Sequence, residues 1–351
     1  MSKLTEQNNL YSKIVALLQA ARQSVVRAVN HTMVYTYYEI GRMIVEDEQQ
    51  GKERAEYGKQ VLKELSERLS SKFGKGFSVQ NLENMRKFYL LYSIDSNSQA
   101  MIRNSGKSQS PIRISSDTKA ALSWTHYLVL IRIENKEERS FYEIESLHNN
   151  WSVRELKRQY NTSLYERLAL SRDKQGIKQL VEKGQLIEKP IDLLKDPYVL
   201  EFLDLPEQHQ YSESELESAI IDKLEHFLLE LGKGFTFVAR QFRMTMDEKH
   251  FRADLVFYNR LLKCFVVIDL KIGELTHQDL GQMQMYVNYH DRFVKLPEEN
   301  KTIGIILCKQ KSNVLVEITL PENNDQIFAG QYQTILPDKQ TFIQLLNDSE
   351  I

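Results

Sequence analysis

Two short stretches of this chain hold side chains that could do chemistry together. RADLVFY (residues 252–258) carries Asp254 at the start of an otherwise apolar run, and CFVVIDLK (264–271) ends with Asp269 and Lys271 two residues apart. Both are rich in β-branched and aromatic residues bounded by polar turns, the composition of buried strands. Side chains two residues apart share a face of a strand, so Asp254 is expected beside Val256 and Tyr258, with Ala253, Leu255 and Phe257 pointing the other way. Asp269 and Lys271 share a face by the same rule, with Leu270 opposite. The spacer NRLLK (259–263) has the length of a hairpin connection, which predicts antiparallel pairing. Such pairing brings Asp254 beside Asp269 and Lys271.

Two carboxylates buried together raise the free energy unless a cation neutralises them. Mg²⁺ is commonly held by one or two carboxylates with water in its open positions, so the pair predicts a divalent metal site. A divalent ion lowers the pKa of a bound water and offsets charge growing on a phosphodiester. An adjacent ammonium, Lys271, can position or help deprotonate that water and offset charge in the transition state. This is the chemistry of phosphodiester hydrolysis. Glu217 is a further candidate, because Ile220, Ile221 and Leu224 follow it at three, four and seven residues and place it at the edge of an apolar helix stripe. A boundary glutamate whose head reaches water would have the same spacing. Gln282 and Tyr286, four residues apart on a predicted helix, share a face from which they could contact the carboxylates or a phosphate, as could two polar positions on any exposed helix. Asp-x-Lys alone is common. The signal is the ordered set of helix with inward Glu, strand with Asp, hairpin-length gap, strand closing in Asp-x-Lys, and helix with Gln-x-x-x-Tyr.

The elements that must position these groups can be read around them. ESELESAIIDKLEHFLLEL (213–231) predicts one amphipathic helix. FTFVARQFRM, RADLVFY and LKCFVVIDL predict three strands in a meander, HQDLGQMQMYVNYH (277–290) a crossover helix, and TIGIILC and NVLVEITL further strands. Upstream the grammar is helical. Apolar residues from Tyr11 to Glu48 recur at helical spacing, and residues 57–70 form a second helix. Phe73-Gly74-Lys75-Gly76-Phe77 then breaks the pattern before Ser78 caps a third helix bearing Asn81, Asn84, Arg86 and Lys87. That arrangement suits a helix-turn-helix DNA reader and equally a plain helical bundle. Residues 93–118, rich in Ser, Asn and Gln, predict a mobile loop or linker. LSWTHYLVLIRI reads as a buried helix or strand. WSVRELKRQYNTSLYERLAL reads as a capped helix whose Arg154, Lys157 and Arg158 either track a phosphate backbone or face solvent. The polar stretch 171–190 and the prolines at 190 and 197 mark a boundary, giving a helical domain over 1–190 and an α/β domain over 191–351.

Composition supports two ordinary globular domains. The chain has 351 residues, 42% hydrophobic and 27% charged, with only 14 Gly and 7 Pro, which excludes collagen-like and disordered chains. The net charge of −2 hides an asymmetry: residues 1–190 carry 30 Lys+Arg against 22 Asp+Glu, and 191–351 carry 16 against 26. A basic half suits a polyanion, and an acidic half suits metal binding, though charge also drifts along many chains. Cys264 and Cys308 sit in apolar runs and read as reduced, buried thiols; no CxxC or paired His spacing suggests zinc. No stretch nears the roughly 18 apolar residues of a membrane span, and the polar N-terminus lacks a signal-peptide core, so a cytoplasmic location is expected.

With these residues in view, 205–345 resemble the PD-(D/E)XK nuclease superfamily, with Asp254 as the second-strand acid and Asp269-Leu270-Lys271 as the (D/E)-x-K of the third. FLLELGKGFTFVARQ, RADLVFYNRLLKCFVVIDLKIG, GQMQMYVNY and TIGIILCKQK resemble its YhcG-like branch, as do GFSVQNLENMRKFY, LSWTHYLVL and WSVRELKRQYNTSLYERL of the N-terminal half. The resemblance implies a restriction-endonuclease-like α/β core preceded by a mainly α-helical DNA- or partner-binding domain. It implies a Mg²⁺- or Mn²⁺-dependent DNA endonuclease or junction-processing enzyme, with branched or foreign DNA among its substrates. Glu217, Asp254, Asp269, Lys271, Gln282 and Tyr286 would form its catalytic set, with Asp254, Asp269 and Glu217 at the metal. The alternative is a non-cleaving DNA-binding or partner-recognition subunit that keeps the fold. A homodimer, or association with a larger defence or recombination complex, stays open. Two departures stand out: Asp269 occupies a position usually held by Glu, and Ala253 precedes Asp254 where the name-giving proline would stand. Neither removes a ligand, so the resemblance still implies activity.

Overall fold

The computed structural model describes residues 2–50, 55–93, 122–205, 211–335 and 338–348. The segment expected as a mobile loop, 93–118, lies outside them but for its first residue. The chain groups into two compact units, Met1–Arg158 and Gln159–Ile351.

The first unit is helical. It comprises α1 (Ser2–Gln50), α2 (Ala55–Phe73), α3 (Val79–Ser93), α4 (Trp124–Leu130), α5 (Lys136–His148) and the start of α6 (Val153–Asn161). Ile44, Leu62, Leu82 and Met85 form a core that joins α1, α2 and α3. Gly41 allows α1 to lie on α3, since a Cβ there would stand 2.1 Å from the Met85 carbonyl oxygen. The polar residues of α3 are partly committed inside the bundle. Asn81 accepts from Trp124 Nε1 at 2.9 Å, and Arg86 pairs with Glu48 at 2.7 Å. Arg154 and Lys157 are exposed, whereas Arg158 pairs with Glu155 at 3.6 Å. LSWTHYLVLIRI forms α4, a helix rather than a strand.

The second unit is α/β. After α7 (Leu164–Leu170) and α8 (Lys174–Lys183) come β1 (Tyr198–Val199), α9 (Glu213–Asp222), α10 (Leu224–Leu231), β2 (Phe235–Met246), β3 (Lys249–Asn259) and β4 (Cys264–Glu274). They are followed by α11 (His277–Phe293), β5 (Ile303–Gln310), α12 (Asn313–Thr319), β6 (Ile327–Gln333) and α13 (Lys339–Asp348). The six strands form one sheet in the order β1-β6-β5-β4-β3-β2. β2, β3 and β4 pair antiparallel, as the meander predicts, and β4-β5, β5-β6 and β6-β1 pair parallel. The β2–β3 turn places Asp247 and Glu248 at φ 46° and 61°, the left-handed geometry of a tight hairpin. At the β3–β4 connection, Asn259 Oδ1 accepts from Leu261 N and Leu262 N.

The sheet is covered on both faces. Leu216 and Ile220 of α9 and Phe227 and Leu231 of α10 pack with Leu255, Phe257, Val266, Ile268 and Leu270 on one side. Leu280, Met283, Tyr286 and Val287 of α11 pack with Ala253, Val256, Val267 and Ile306 on the other.

Three expectations need correction. NVLVEITL is not a strand: Ser312 caps it by accepting from Leu315 N, and it forms α12 with no buried residue. Its β-branched residues therefore lack the buried sheet environment that makes β-propensity count, and β6 takes the sixth strand position. The helix expected over 213–231 breaks at Lys223 into α9 and α10, whose apolar residues still join one core. Ala253 packs with Val256 rather than with Leu255 and Phe257. Simple alternation fails at Asp254, where the β2–β3 pairing skips Gln241 and Asp254 and the β3–β4 ladder stops at Leu255–Ile268.

Candidate active site

The site begins where that ladder stops. Instead of another backbone pairing, Leu270 N donates to Asp254 Oδ2 at 2.8 Å. A side-chain carboxylate thus replaces the strand carbonyl, and Asp254 is held at the opening between β3 and β4. Asp269, next along β4, is 3% exposed, and Lys271 Nζ stands 3.0 Å from its Oδ2. Leu270 lies in the opposite apolar layer, so Asp269 and Lys271 share the α11 side. The antiparallel register therefore brings Asp254, Asp269 and Lys271 together.

Electrostatics follow from burial. Loss of solvent, and then the neighbouring Asp254 carboxylate, push the Asp269 pKa up to about 7 from an ordinary 3.8. Burial works against the Lys271 charge, yet Asp269, Glu213 and Asp279 outweigh it and hold the ammonium's pKa above its ordinary value. Glu213 Oε2 lies 3.7 Å and Asp279 Oδ1 3.9 Å from Lys271 Nζ. Sequence reasoning missed these two acids as site neighbours. Each sits in the first turn of a helix, where acids favour the N-terminus whatever else they do, and Asp279 completes a capping box with Thr276.

Glu217 is buried, with both oxygens engaged. Arg240 Nε donates to Oε1 and Gln241 Nε2 to Oε2, each at 2.6 Å. Gln241 Nε2 also reaches Asp254 Oδ1 at 3.1 Å, so Glu217 meets the strand acids through Gln241. Nothing in FVARQFRM singles out Arg240 or Gln241, because polar residues on a strand usually mark its solvent face. Gln282 and Tyr286 do share a face of α11. Gln282 Nε2 donates to the Tyr286 hydroxyl, which donates in turn to the Arg252 carbonyl at 2.9 Å, two residues before Asp254. Burial raises the Tyr286 pKa, and Asp269 and Asp254 add to it, so the phenol stays protonated as a donor.

Among the described residues no group of three or more His, Cys, Asp or Glu side chains stands close enough to hold an ion. Two adjacent carboxylates do, however, satisfy the donor needs of a hard, largely hydrated cation such as Mg²⁺. Burial first, and then the Asp254 carboxylate, disfavour the charge on Asp269, and a cation between the two acids would relieve both.

Comparison with known proteins covers nearly the whole chain. Residues 191–347 match the family model described as the YhcG PDDEXK nuclease domain, and residues 13–167 match the DUF1016 N-terminal domain. "Putative nuclease YhcG" of Escherichia coli (strain K12) is 40% identical over 343 residues, spanning 94% of this chain and 91% of that protein. Two solved structures share part of the chain. A repair endonuclease from Pyrococcus abyssi is 16% identical over 36% of this chain, with a TM-score of 0.24. EndoMS in apo form is 18% identical over 37%, also with a TM-score of 0.24. This chain spans about half of each, 49% in both cases.

Proposed function

We propose, for a chain that belongs to the YhcG family of PDDEXK nucleases, that the site at the β3–β4 opening hydrolyses DNA phosphodiester bonds endonucleolytically with the help of a divalent ion, Mg²⁺ or Mn²⁺. Asp254 and Asp269 would hold the ion. When bound, it would supply acidity to a water and offset charge on the scissile phosphate. Glu217, with both oxygens already bonded, supports the site from behind rather than joining the ligands. Lys271, fully charged at neutral pH, orients the attacking water and offsets phosphate charge; its raised pKa argues against a role as base. Tyr286 and Gln282 steady β3 at Arg252 and so steady Asp254.

The helical unit would supply substrate or partner contacts, with branched or foreign DNA as the substrate class. A chain bearing one such core cuts one strand at a time, so a double-strand cut would require a homodimer, an assembly or two successive events. The observation that carries the reading is the Leu270 N to Asp254 bond. It sets a half-buried acid beside Asp269 and Lys271 where a strand ladder would otherwise continue.

The test is cleavage of linear, nicked and branched DNA with Mg²⁺ or Mn²⁺ by wild type, Asp254→Ala and Lys271→Ala. Metal-dependent cutting that falls at least about 100-fold in both variants is the expected outcome. Undiminished DNA binding with no cutting by wild type would replace this reading with a recognition subunit that keeps the fold.

A further inference from the structure

Successive side chains on a strand point to opposite faces. Arg240 and Gln241 are successive residues of β2, yet both bond Glu217, each at 2.6 Å. The backbone at Gln241 makes this possible, because its φ is 50°. A non-glycine residue in the left-handed region carries strain, and such residues persist where their surroundings over-determine them, often at functional sites. Here the surroundings are two carboxylates. The Gln241 amide nitrogen has two protons and spends one on Glu217 Oε2 and the other on Asp254 Oδ1. Its orientation is fixed by those acceptors, since a flipped amide would set its oxygen against both acids.

Asp254 is held from two sides. Leu270 N donates to Oδ2 and Gln241 to Oδ1. One hydrogen bond on each oxygen sets the carboxylate plane and leaves lone pairs for a cation. Glu217 is itself anchored by Arg240, whose Nη2 also reaches Ser218 Oγ at 3.1 Å. A chain of contacts thus runs from Arg240 through Glu217 and Gln241 to Asp254 and the Leu270 backbone.

We infer that Gln241 is a positioning residue: its strained backbone aims an amide that couples Glu217 to Asp254 and fixes the Asp254 carboxylate for divalent-ion binding. The inference rests on the reading of Asp254 as a metal-holding group. Groups that orient a metal ligand typically change metal affinity 10- to 100-fold when removed.

The experiment is a calorimetric titration of the full chain with Mn²⁺, without DNA. It compares wild type, Asp254→Ala, Gln241→Ala and Gln241→Met, with metal-free melting curves for each. Met keeps the length and volume of Gln but lacks the donors, so it separates the hydrogen bonds from packing. The expected result is a loss of Mn²⁺ affinity of about 10-fold or more in both Gln241 variants, with Gln241→Met melting within a few degrees of wild type. Wild-type Mn²⁺ affinity in either folded Gln241 variant would overturn the positioning role while leaving the metal reading intact. Equal, negligible binding by wild type and Asp254→Ala would overturn the metal reading itself, and this inference with it.

Discussion

Among the individual residues, Asp269 gives the sharpest consequence, because burial and Asp254 move its pKa from 3.8 to about 7. Between those values the folded protein keeps a proton that the unfolded chain has released. The stability this group contributes is therefore full below 3.8 and lost as the pH rises through about 7. Three pKa units correspond to on the order of 4 kcal/mol. We expect the metal-free protein to lose melting temperature steadily from pH 5 to pH 8, and Asp269→Asn to flatten that slope. On the proposed reading a divalent ion would compete with the proton, so Mg²⁺ should raise the melting temperature more at pH 8 than at pH 5. A pH slope unchanged in Asp269→Asn would show that another group dominates the titration. The proximity of Asp254 to Asp269 and Lys271 was legible from the ordered set of strands and the hairpin-length gap, although the strand phase at Asp254 itself was misread. Gln241 was not legible, because its importance comes from a backbone angle that no residue type in RQF announces.

Elements were legible where local pattern and tertiary environment agree. The β2–β3–β4 meander, the hairpin at 259–263 and the crossover α11 all follow from strand and helix periodicity. α12 was misread because VLVEI has strand-forming residues but no sheet neighbour, and the short β1 and β6 went unread as strands, with Gly330 interrupting the pattern of IFAGQYQ. The packing of α11 depends on a residue with no visible signature. Gly304 of β5 lies under the helix, and a Cβ there would stand 2.5 Å from Met283 Sδ and 2.9 Å from Val287 Cγ2. Met283 can turn aside, but β-branched Val287 has little freedom within a helix. Gly304→Ala should therefore lift α11 and destabilise the fold by about 1–3 kcal/mol, the usual range for overpacking. Tyr286 rides on the same helix, so its bond to the Arg252 carbonyl should lengthen and DNA cleavage should fall with stability. Chemical denaturation and a cleavage assay on the same sample check both; unchanged stability would mean that the core has room beneath α11.

For the whole molecule the question is where the nuclease unit begins. Composition points to 190/191 and the family model starts at residue 191, whereas contacts divide the chain after Arg158. The difference turns on Arg167. It is fully buried and paired with Glu230 of α10, 63 residues later. Arg167 Nε also donates to the Thr162 carbonyl at 2.8 Å and Nη1 to the Pro197 carbonyl at 3.2 Å. Glu230 further accepts from Val199 N of the edge strand β1 at 3.0 Å. Burial alone would raise the Glu230 pKa, but Arg167 and Lys195 reverse that and keep it below its ordinary value. A pairing across such a separation leaves no trace in local sequence, which is why the polar stretch 171–190 reads as a boundary. Loss of Arg167 leaves the buried Glu230 charge to Lys195 alone, and removing one partner of a buried pair typically costs about 3–5 kcal/mol. A fragment of residues 159–351 should therefore unfold in one cooperative transition, while 191–351, lacking Arg167, should be less stable by about that amount. Glu230→Gln in the shorter fragment should recover part of the loss, because it removes a buried charge left to Lys195 alone while keeping an oxygen that accepts from Val199 N. Equal stability of the two fragments in urea would place the boundary at 190/191 and reduce the Arg167–Glu230 pair to a dispensable contact.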